Sequence, residues 1–365
     1  MNMNIKARAE LEGITPYALG QTIEEIKEQY GITTVRKLSD NENVYGTSPK
    51  VREAIMQSSA NLAFYPDGMT SGIVEKLSSH YKLDQKHFLV SNGSEEIIRL
   101  LTRAYIDKND EAVMAEVTFP RYKTNVLIEG GVSVTVPMID GRHDLKKMQE
   151  AINEKTKMVF VCNPNNPTGT IVAKQELLSF IDNVPSNVLI IMDEAYFEYA
   201  DSDEYLDTMP LLDQYQNIVI LRTFSKIYGL ASLRVGYGIM QEEIAKELHK
   251  VRDVFNVNQL AQAAAVAALE DQAFIQDCSA KNSAERDFLS AKFKELEIDS
   301  FPSQSNFLFA FTNRPVIQTL TKNGVLVRQM QLPGYKEAFR ITLGTREDHE
   351  FILQIVSQLF HERAV

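Results

Sequence analysis

The chain reads as an α/β protein in which a large domain on a mainly parallel sheet, wrapped by helices, precedes a smaller α+β unit. Three observations carry this reading. Between Phe88 and about Met240, short apolar runs alternate with helical stretches, as repeated βα units require. The runs are nearly all apolar rather than alternating, which suits strands covered on both faces. Beyond Met240 the pattern changes to long helices and then to short strands.

The first run, residues 88–90, leads into Ser91-Asn92-Gly93-Ser94-Glu95-Glu96, and Ile97, Ile98, Leu100 and Leu101 then open a helix. Free N–H groups and the positive dipole end at such a helix start form an anion site. Ser94 as a simple N-cap, with acids in the first turn, is an equally good local reading. Residues 157–162 form a second strand, running into Asn163-Pro164-Asn165-Asn166-Pro167-Thr168-Gly169. Proline and glycine hold that loop open, and Asn166 can offer a side-chain hydrogen bond; a plain turn also suits each residue. Residues 188–192 form a third strand and end in Asp193-Glu194-Ala195-Tyr196, and residues 217–221 form a fourth that leads to Thr223-Phe224-Ser225-Lys226.

An acid and a lysine thus stand at the ends of two successive strands, with Arg234 eight residues after the lysine. The carboxyl edge of an open α/β sheet is where ligands sit. A lysine desolvated there and close to a second cation has a lowered pKa and can attack a carbonyl carbon. The hydroxyls and Arg234 suit a phosphate, and an acid beside a ring nitrogen keeps it protonated. Taken singly, Lys226 reads as a solvated strand end and Asp193 as a helix cap. Together they suggest pyridoxal phosphate held through a Schiff base.

After this sheet, residues 241–250 and 261–293 read as long helical stretches. The second is alanine-rich, which favours helix and close packing. Residues 298–311, 324–328 and 338–343 return to strand character, and residues 349–360 close the chain with an amphipathic helix. The expected division is an N-terminal segment, 1–40, folded back on a small domain at 251–365, with a large domain at 41–250 between them.

Several motifs in combination carry a resemblance: Asn41-Glu42-Asn43-Val44-Tyr45-Gly46, Tyr65-Pro66-Asp67-Gly68, Gly93-Ser94-Glu95-Glu96, Thr118-Phe119, the Asn163 to Gly169 loop, Asp193 to Tyr196, Thr223 to Lys226 with Arg234, and Phe339-Arg340-Ile341-Thr342-Leu343-Gly344-Thr345. The chain resembles the fold-type-I pyridoxal-phosphate aminotransferases, and within them is most similar to the histidinol-phosphate aminotransferases, from about Pro16 to the last helix. The resemblance implies a seven-stranded sheet and a homodimer with shared active sites. It implies that Lys226 carries pyridoxal 5'-phosphate, that Asp193 pairs with the ring nitrogen, and that Asn166 and Tyr196 contact the phenolic oxygen while Phe119 stacks on the ring. Ser94, Glu95, Thr223, Ser225 and Arg234 would hold the phosphate, with Tyr65 reaching across from a second subunit. On the substrate side, Arg340 would grip the anion, with Tyr17 and Arg328 at the phosphate end and Asn43 near the cofactor. Arginine suits that work because its planar fork binds carboxylate or phosphate with two hydrogen bonds. Read alone, Arg328 and Arg340 are ordinary surface arginines, and Phe119 and Tyr65 core aromatics.

One departure stands in the Asn-Glu-Asn segment, where the family usually has proline and this chain has Val44. Losing proline frees one backbone dihedral and restores a donor, which bears on substrate preference more than on chemistry. An aromatic-amino-acid aminotransferase or an amino-acid-phosphate decarboxylase of the same fold would carry nearly all these motifs. A pyridoxal-binding transcriptional regulator would share Lys226 and Asp193 but needs a DNA-binding module, which is not expected here.

Composition agrees with an enzyme of this kind. The chain has 365 residues, 44% hydrophobic and 24% charged, an ordinary globular composition with material for a substantial core. A formal net charge of −11 disfavours an extended nucleic-acid face. The two cysteines, Cys162 and Cys278, show no metal spacing, and none of the six histidines pairs at ligand spacing, so no metal is expected and a reduced intracellular setting is favoured. The start lacks the apolar core of a signal peptide, and no stretch approaches the ~20 apolar residues that span a bilayer, so the expectation is a cytoplasmic protein without membrane contact.

Overall fold

The computed structural model describes residues 5–17 and 20–361; residues 1–4 of the expected N-terminal segment lie outside them. Seven strands form the large sheet, in the spatial order Phe88–Ser91, Gly236–Ile239, Ile218–Thr223, Leu189–Asp193, Thr156–Cys162, Glu111–Ala115, Val132–Val136. Gly236–Ile239 runs against both its neighbours, and the remaining neighbours pair in parallel. Parallel neighbours need a crossover, and helices such as Lys174–Asn183 supply it. The central strands are buried along most of their length, which explains their unbroken apolar sequences.

The reversed strand was not foreseen, and it matters. The chain after Thr223 folds back through a turn containing Lys226 instead of crossing over, so Arg234 comes back to the same edge of the sheet as the ends of Ser91, Cys162, Asp193 and Thr223. The helix Ser94–Tyr105 starts at this edge and buries Ile97, Ile98, Leu100 and Leu101. Gly93 precedes it with φ +78, and a Cβ there would lie 2.7 Å from Nη2 of Arg234, so only glycine lets the guanidinium approach the helix start.

The stretch expected as one helix over 261–293 is two, Gln259–Leu269 and Gln272–Glu295. Asp271 interrupts it, its side chain accepting the Phe274 N–H as a fresh N-cap. Small residues let the first of these helices pack against Pro49–Ser58 and Ser71–Tyr81. Ala261, Ala264, Ala265 and Ala268 thereby join Val51 and Ile73 in the core of the large sheet, which also takes in Ile275, Cys278 and Phe307. Residues 251–278, expected with the small domain, pack with the large one.

A second core gathers Leu289, Phe293, Leu308, Phe339 and Ile352 around a four-stranded antiparallel sheet ordered Arg328–Met330, Glu337–Thr342, Phe307–Thr312, Asp299–Ser300. Two expected strands are each divided. Residues 298–311 contain two strands with a loop between, and residues 324–328 supply Val325–Leu326 to one sheet and the start of Arg328–Met330 to another. Val325–Leu326 pairs in parallel with Arg36–Lys37, and Arg36 Nε lies 2.9 Å from Asp348, so the end of the N-terminal segment joins this smaller unit, whereas Arg8 donates to the Ile128 carbonyl of the large one at 2.8 Å. Among the described residues no helix is long and apolar enough to cross a membrane.

Candidate active site

The strand ends surround an inner cavity of about 130 Å³, which shares walls with an outer one of about 510 Å³. Glu95, Phe119, Asn166, Tyr196 and Lys226 line both. Ser94, Asp193, Thr223, Ser225 and Arg234 complete the sequence-derived lining of the inner cavity, and Tyr17 and Arg340 that of the outer.

Lys226 sits between the two. Burial lowers its pKa to about 8, and the charges of Arg340 and Arg234 push in the same direction. Its Nζ lies 3.4 Å from the Asp40 carbonyl oxygen, a long contact that leaves the amine free to turn towards either cavity. Asp193 is 5% exposed and accepts from the Tyr122 hydroxyl at 2.5 Å and from the Ala195 N–H at 3.2 Å. Burial raises its pKa to about 6, and neighbouring Glu194 adds to the rise. Tyr122 is held in turn by stacking on Phe160, with ring centroids 4.6 Å apart, and by an edge contact with Phe119.

The phosphate side is built from donors. Arg234 Nη1 donates to Ser225 Oγ at 3.2 Å, and the Ser225 N–H donates to Thr223 Oγ1 at 3.1 Å. Opposite them the helix Ser94–Tyr105 presents its first N–H groups, which have no acceptor within the helix. On the outer side, Arg340 is 9% exposed, with Nη1 donating to Asn166 Oδ1 at 2.6 Å and Nη2 to the Ser39 carbonyl at 2.7 Å. Its buried Nε has no partner. Because Asn166 Oδ1 is occupied, the amide nitrogen is what that residue offers the cavity.

Three expected residues lie elsewhere. Asn43 stands behind the Lys226 turn, donating to the Ile227 carbonyl at 2.7 Å. Arg328, on the strand Arg328–Met330, is not among the lining residues, but its guanidinium lies 5.1 Å from the ring centroid of Tyr17, which lines the outer cavity. Tyr65 is 82% exposed and stacks on Phe255 with centroids 4.6 Å apart, away from both cavities. Sequence reasoning missed Asn41 and Asp40, which line the outer cavity with Arg121, and Cys162, which lines the inner one. It also missed Tyr122, three residues after Phe119; Arg121 Nε meets Glu95 at 2.6 Å. Asn41 was within reach, since it belongs to the quoted Asn-Glu-Asn string. Among the described residues, no group of three or more His, Cys, Asp or Glu could hold a metal ion.

These residues fit the cofactor that the motifs imply. A buried acid with no cation against it, an amine of lowered pKa and an anion cradle of hydroxyls, helix N–H groups and one arginine are what pyridoxal phosphate needs. Arg340, which lines the outer cavity beside Lys226, gives that cavity a cation for an acidic group.

Comparison with known proteins agrees with this geometry. The family model for class I and II aminotransferases matches residues 33–356. A histidinol-phosphate aminotransferase of Geobacillus sp. (strain WCH70) is 45% identical over 362 residues, 98% of this chain and 99% of that protein. The histidinol-phosphate aminotransferase of Bacillus subtilis (strain 168) is 42% identical over 359 residues, covering 97% of this chain and 100% of the relative. Among solved structures, the Sinorhizobium meliloti histidinol-phosphate aminotransferase in complex with pyridoxal-5'-phosphate has the same fold, with a TM-score of 0.90 over 100% of both chains at 24% identity.

Proposed function

The chain belongs to the class I and II aminotransferase family, and from that membership we propose that it transfers an amino group from L-glutamate to imidazole-acetol phosphate, giving 2-oxoglutarate and L-histidinol phosphate in histidine biosynthesis. The observation that carries this reading is the placing of Lys226 and Arg340 on the wall of one cavity.

Pyridoxal phosphate, when bound, supplies an electron sink for the substrate Cα and stores the amino group between the two half-reactions. Lys226 would hold it covalently, Asp193 would pair with the ring nitrogen, Asn166 and Tyr196 would serve the phenolic oxygen, and Phe119 would pack on the ring. The Ser94 and Glu95 amides, Thr223, Ser225 and Arg234 hold the phosphate. With a pKa near 8, the Lys226 amine, once released by the incoming substrate, can take the proton from the substrate Cα as a base and, as an acid, deliver it to the cofactor carbon that Lys226 had held. Arg340 binds the substrate's acidic group, a carboxylate in one half-reaction and a phosphate in the other, with Tyr17 and Arg328 at that end of the cavity and Asn43 bracing the Lys226 turn.

The protein acts as a cytoplasmic homodimer with shared sites. Met56, Leu62, Phe64, Tyr65, Met69 and Val254 are each more than half exposed around the stacked Tyr65–Phe255 pair, an apolar face that a second copy would cover. Tyr65 then reaches the partner's phosphate cradle. Mixing Lys226→Ala with Tyr65→Phe subunits should restore activity above the sum of the parents, because one site in each mixed dimer is intact; no rise after verified exchange removes the shared site.

The function is tested by comparing amino transfer from glutamate to imidazole-acetol phosphate and to phenylpyruvate. The reading requires kcat/KM for the phosphorylated acceptor to be at least ~10-fold higher, the effect of about 1.4 kcal/mol of extra transition-state binding. A preference for phenylpyruvate identifies an aromatic aminotransferase, and release of carbon dioxide from an amino-acid phosphate identifies a decarboxylase.

A further inference from the structure

Asn41 has a left-handed backbone, φ +58, is 1% exposed, and is held on three sides. Its N–H donates to Thr342 Oγ1 at 2.9 Å, and its carbonyl accepts from Asn306 Nδ2 at 3.1 Å. Thr342 Oγ1, having accepted that N–H, turns its own hydrogen towards Asn41 Oδ1 at 3.4 Å. The contact is long, and it goes with the amide orientation in which Oδ1 faces Thr342. With Oδ1 on the hydroxyl, Nδ2 points the other way and donates to the Tyr196 hydroxyl oxygen at 2.9 Å.

A phenol has a single proton. When its oxygen accepts from Asn41, that proton has to be donated elsewhere, and Tyr196 is 3% exposed and lines both cavities. Burial also keeps the hydroxyl protonated by pushing its pKa well above the ordinary value. We propose that Asn41, oriented by Thr342, is a positioning residue that fixes Tyr196 as a hydrogen-bond donor into the inner cavity, towards the phenolic oxygen of the cofactor. The inference rests on the pyridoxal-phosphate reading of the site and adds to it a residue two places before the one the motif suggested. Asn41 also lines the outer cavity, and in this role it acts through Tyr196. It also joins the two units of the fold at the site, because Thr342 and Asn306 belong to the smaller unit and Tyr196 to the large sheet.

The test reads the pH midpoint of the visible band of the holoenzyme without substrate. A donor to the phenolic oxygen draws charge from it and lowers its hold on the proton it shares within the chromophore, so losing that donor should raise the midpoint. Asn41→Asp and Asn41→Gly both tolerate the left-handed backbone. An ionised aspartate can only accept, so it would take the Tyr196 proton for itself, and the midpoint should rise by about one unit or more. Asn41→Gly removes the donor without adding charge, and Thr342→Val lets the amide turn; each should give a smaller rise. In a Tyr196→Phe background the Asn41→Gly rise should vanish, which a general loosening of the fold would not produce.

Unchanged midpoints in Asn41→Asp and Asn41→Gly, or an Asn41→Gly rise that persists undiminished with Tyr196→Phe, overturn the proposal while leaving the cofactor reading intact. If Asn41→Asp fails to fold, the Asn41→Gly and Thr342→Val midpoints decide by the same criterion. A wild-type protein that acquires no visible band with pyridoxal phosphate overturns both readings, and that result is separate because it needs no variant.

Discussion

Two consecutive carboxylates, Asp193 and Glu194, leave the same strand end into different surroundings. Glu194 is 1% exposed and is met by Arg222, whose Nε and Nη2 lie 3.0 and 2.7 Å away, and by the Thr208 hydroxyl at 2.5 Å. Arg222 is equally buried, donates also to Asp207 at 2.8 Å, and has its guanidinium 3.6 Å from the Phe197 ring centroid. Burial pushes the Glu194 carboxyl above its ordinary value, and the charge of Arg222 opposes that push from direct contact. Asp193, just as deep, accepts only from neutral donors, and the charge that reaches it, that of Lys226, acts without an ion-pair contact. The arginines differ in the same way, since Arg222 is saturated whereas Arg340 keeps a buried Nε without an acceptor. A buried charge that the fold itself neutralises is a strut. A buried charge left open beside a cavity is a place for a ligand.

The strut should fail first when the comparison is broken. Arg222→Met leaves Glu194 buried with only Thr208 against it, and removing one partner of a buried pair costs about 3–5 kcal/mol. Denaturant unfolding of the cofactor-free protein should show that loss, and adding Glu194→Leu should recover part of it. A loss below ~1 kcal/mol would mean that the pair is no strut. Asp193→Asn should behave in the opposite sense. The fold and the phosphate cradle survive, so the cofactor stays bound, but turnover falls roughly 10²–10³-fold, or about 3–4 kcal/mol, because nothing holds the ring nitrogen protonated. Near-native turnover in this variant would remove Asp193 from the proposed mechanism.

How much of this could be read from the sequence follows the same division. The strand ends bearing Asp193 and Lys226 were legible because apolar runs with polar ends are local patterns, and the structure brings both to one cavity. The loop at Asn166 and the turn at Ser94 were legible as strings. What escaped was pairing across the chain. Tyr122 reaches Asp193 over 71 positions, Arg222 reaches Glu194 over 28, and Asn41 reaches Tyr196 over 155. None of these has a local signature, since topology alone brings them together. The reversed strand Gly236–Ile239 escaped for a related reason, as a four-residue run with two glycines carries little strand signal. The alanine-rich helix was legible as a helix, but its partner was not, because small residues permit close packing against any flat surface.

The smallest expected effect sharpens the comparison most, because it reads the unneutralised charge itself. With the folded pKa of Asp193 raised to about 6 from an ordinary 3.8, the folded state holds this proton more tightly than the unfolded chain. Its contribution is therefore favourable below the unfolded pKa and is lost as pH rises through about 6, for a total of up to about 3 kcal/mol. Cofactor-free Asp193→Asn, which carries no charge to bury, should then be more stable than wild type at pH 7 to 8, and the gap should narrow towards pH 5. Bound cofactor supplies the missing cation, so in the holoenzymes the gap should close or reverse. Glu194→Gln should show no such inversion, because its cation is part of the fold and is present with or without ligand. The measurement is a set of denaturant unfolding curves from pH 5 to 8 for wild type and both variants, with and without pyridoxal phosphate. A gap for Asp193→Asn that depends on neither pH nor cofactor would show that Asp193 is neutralised within the protein after all, and the distinction between the two carboxylates would fall.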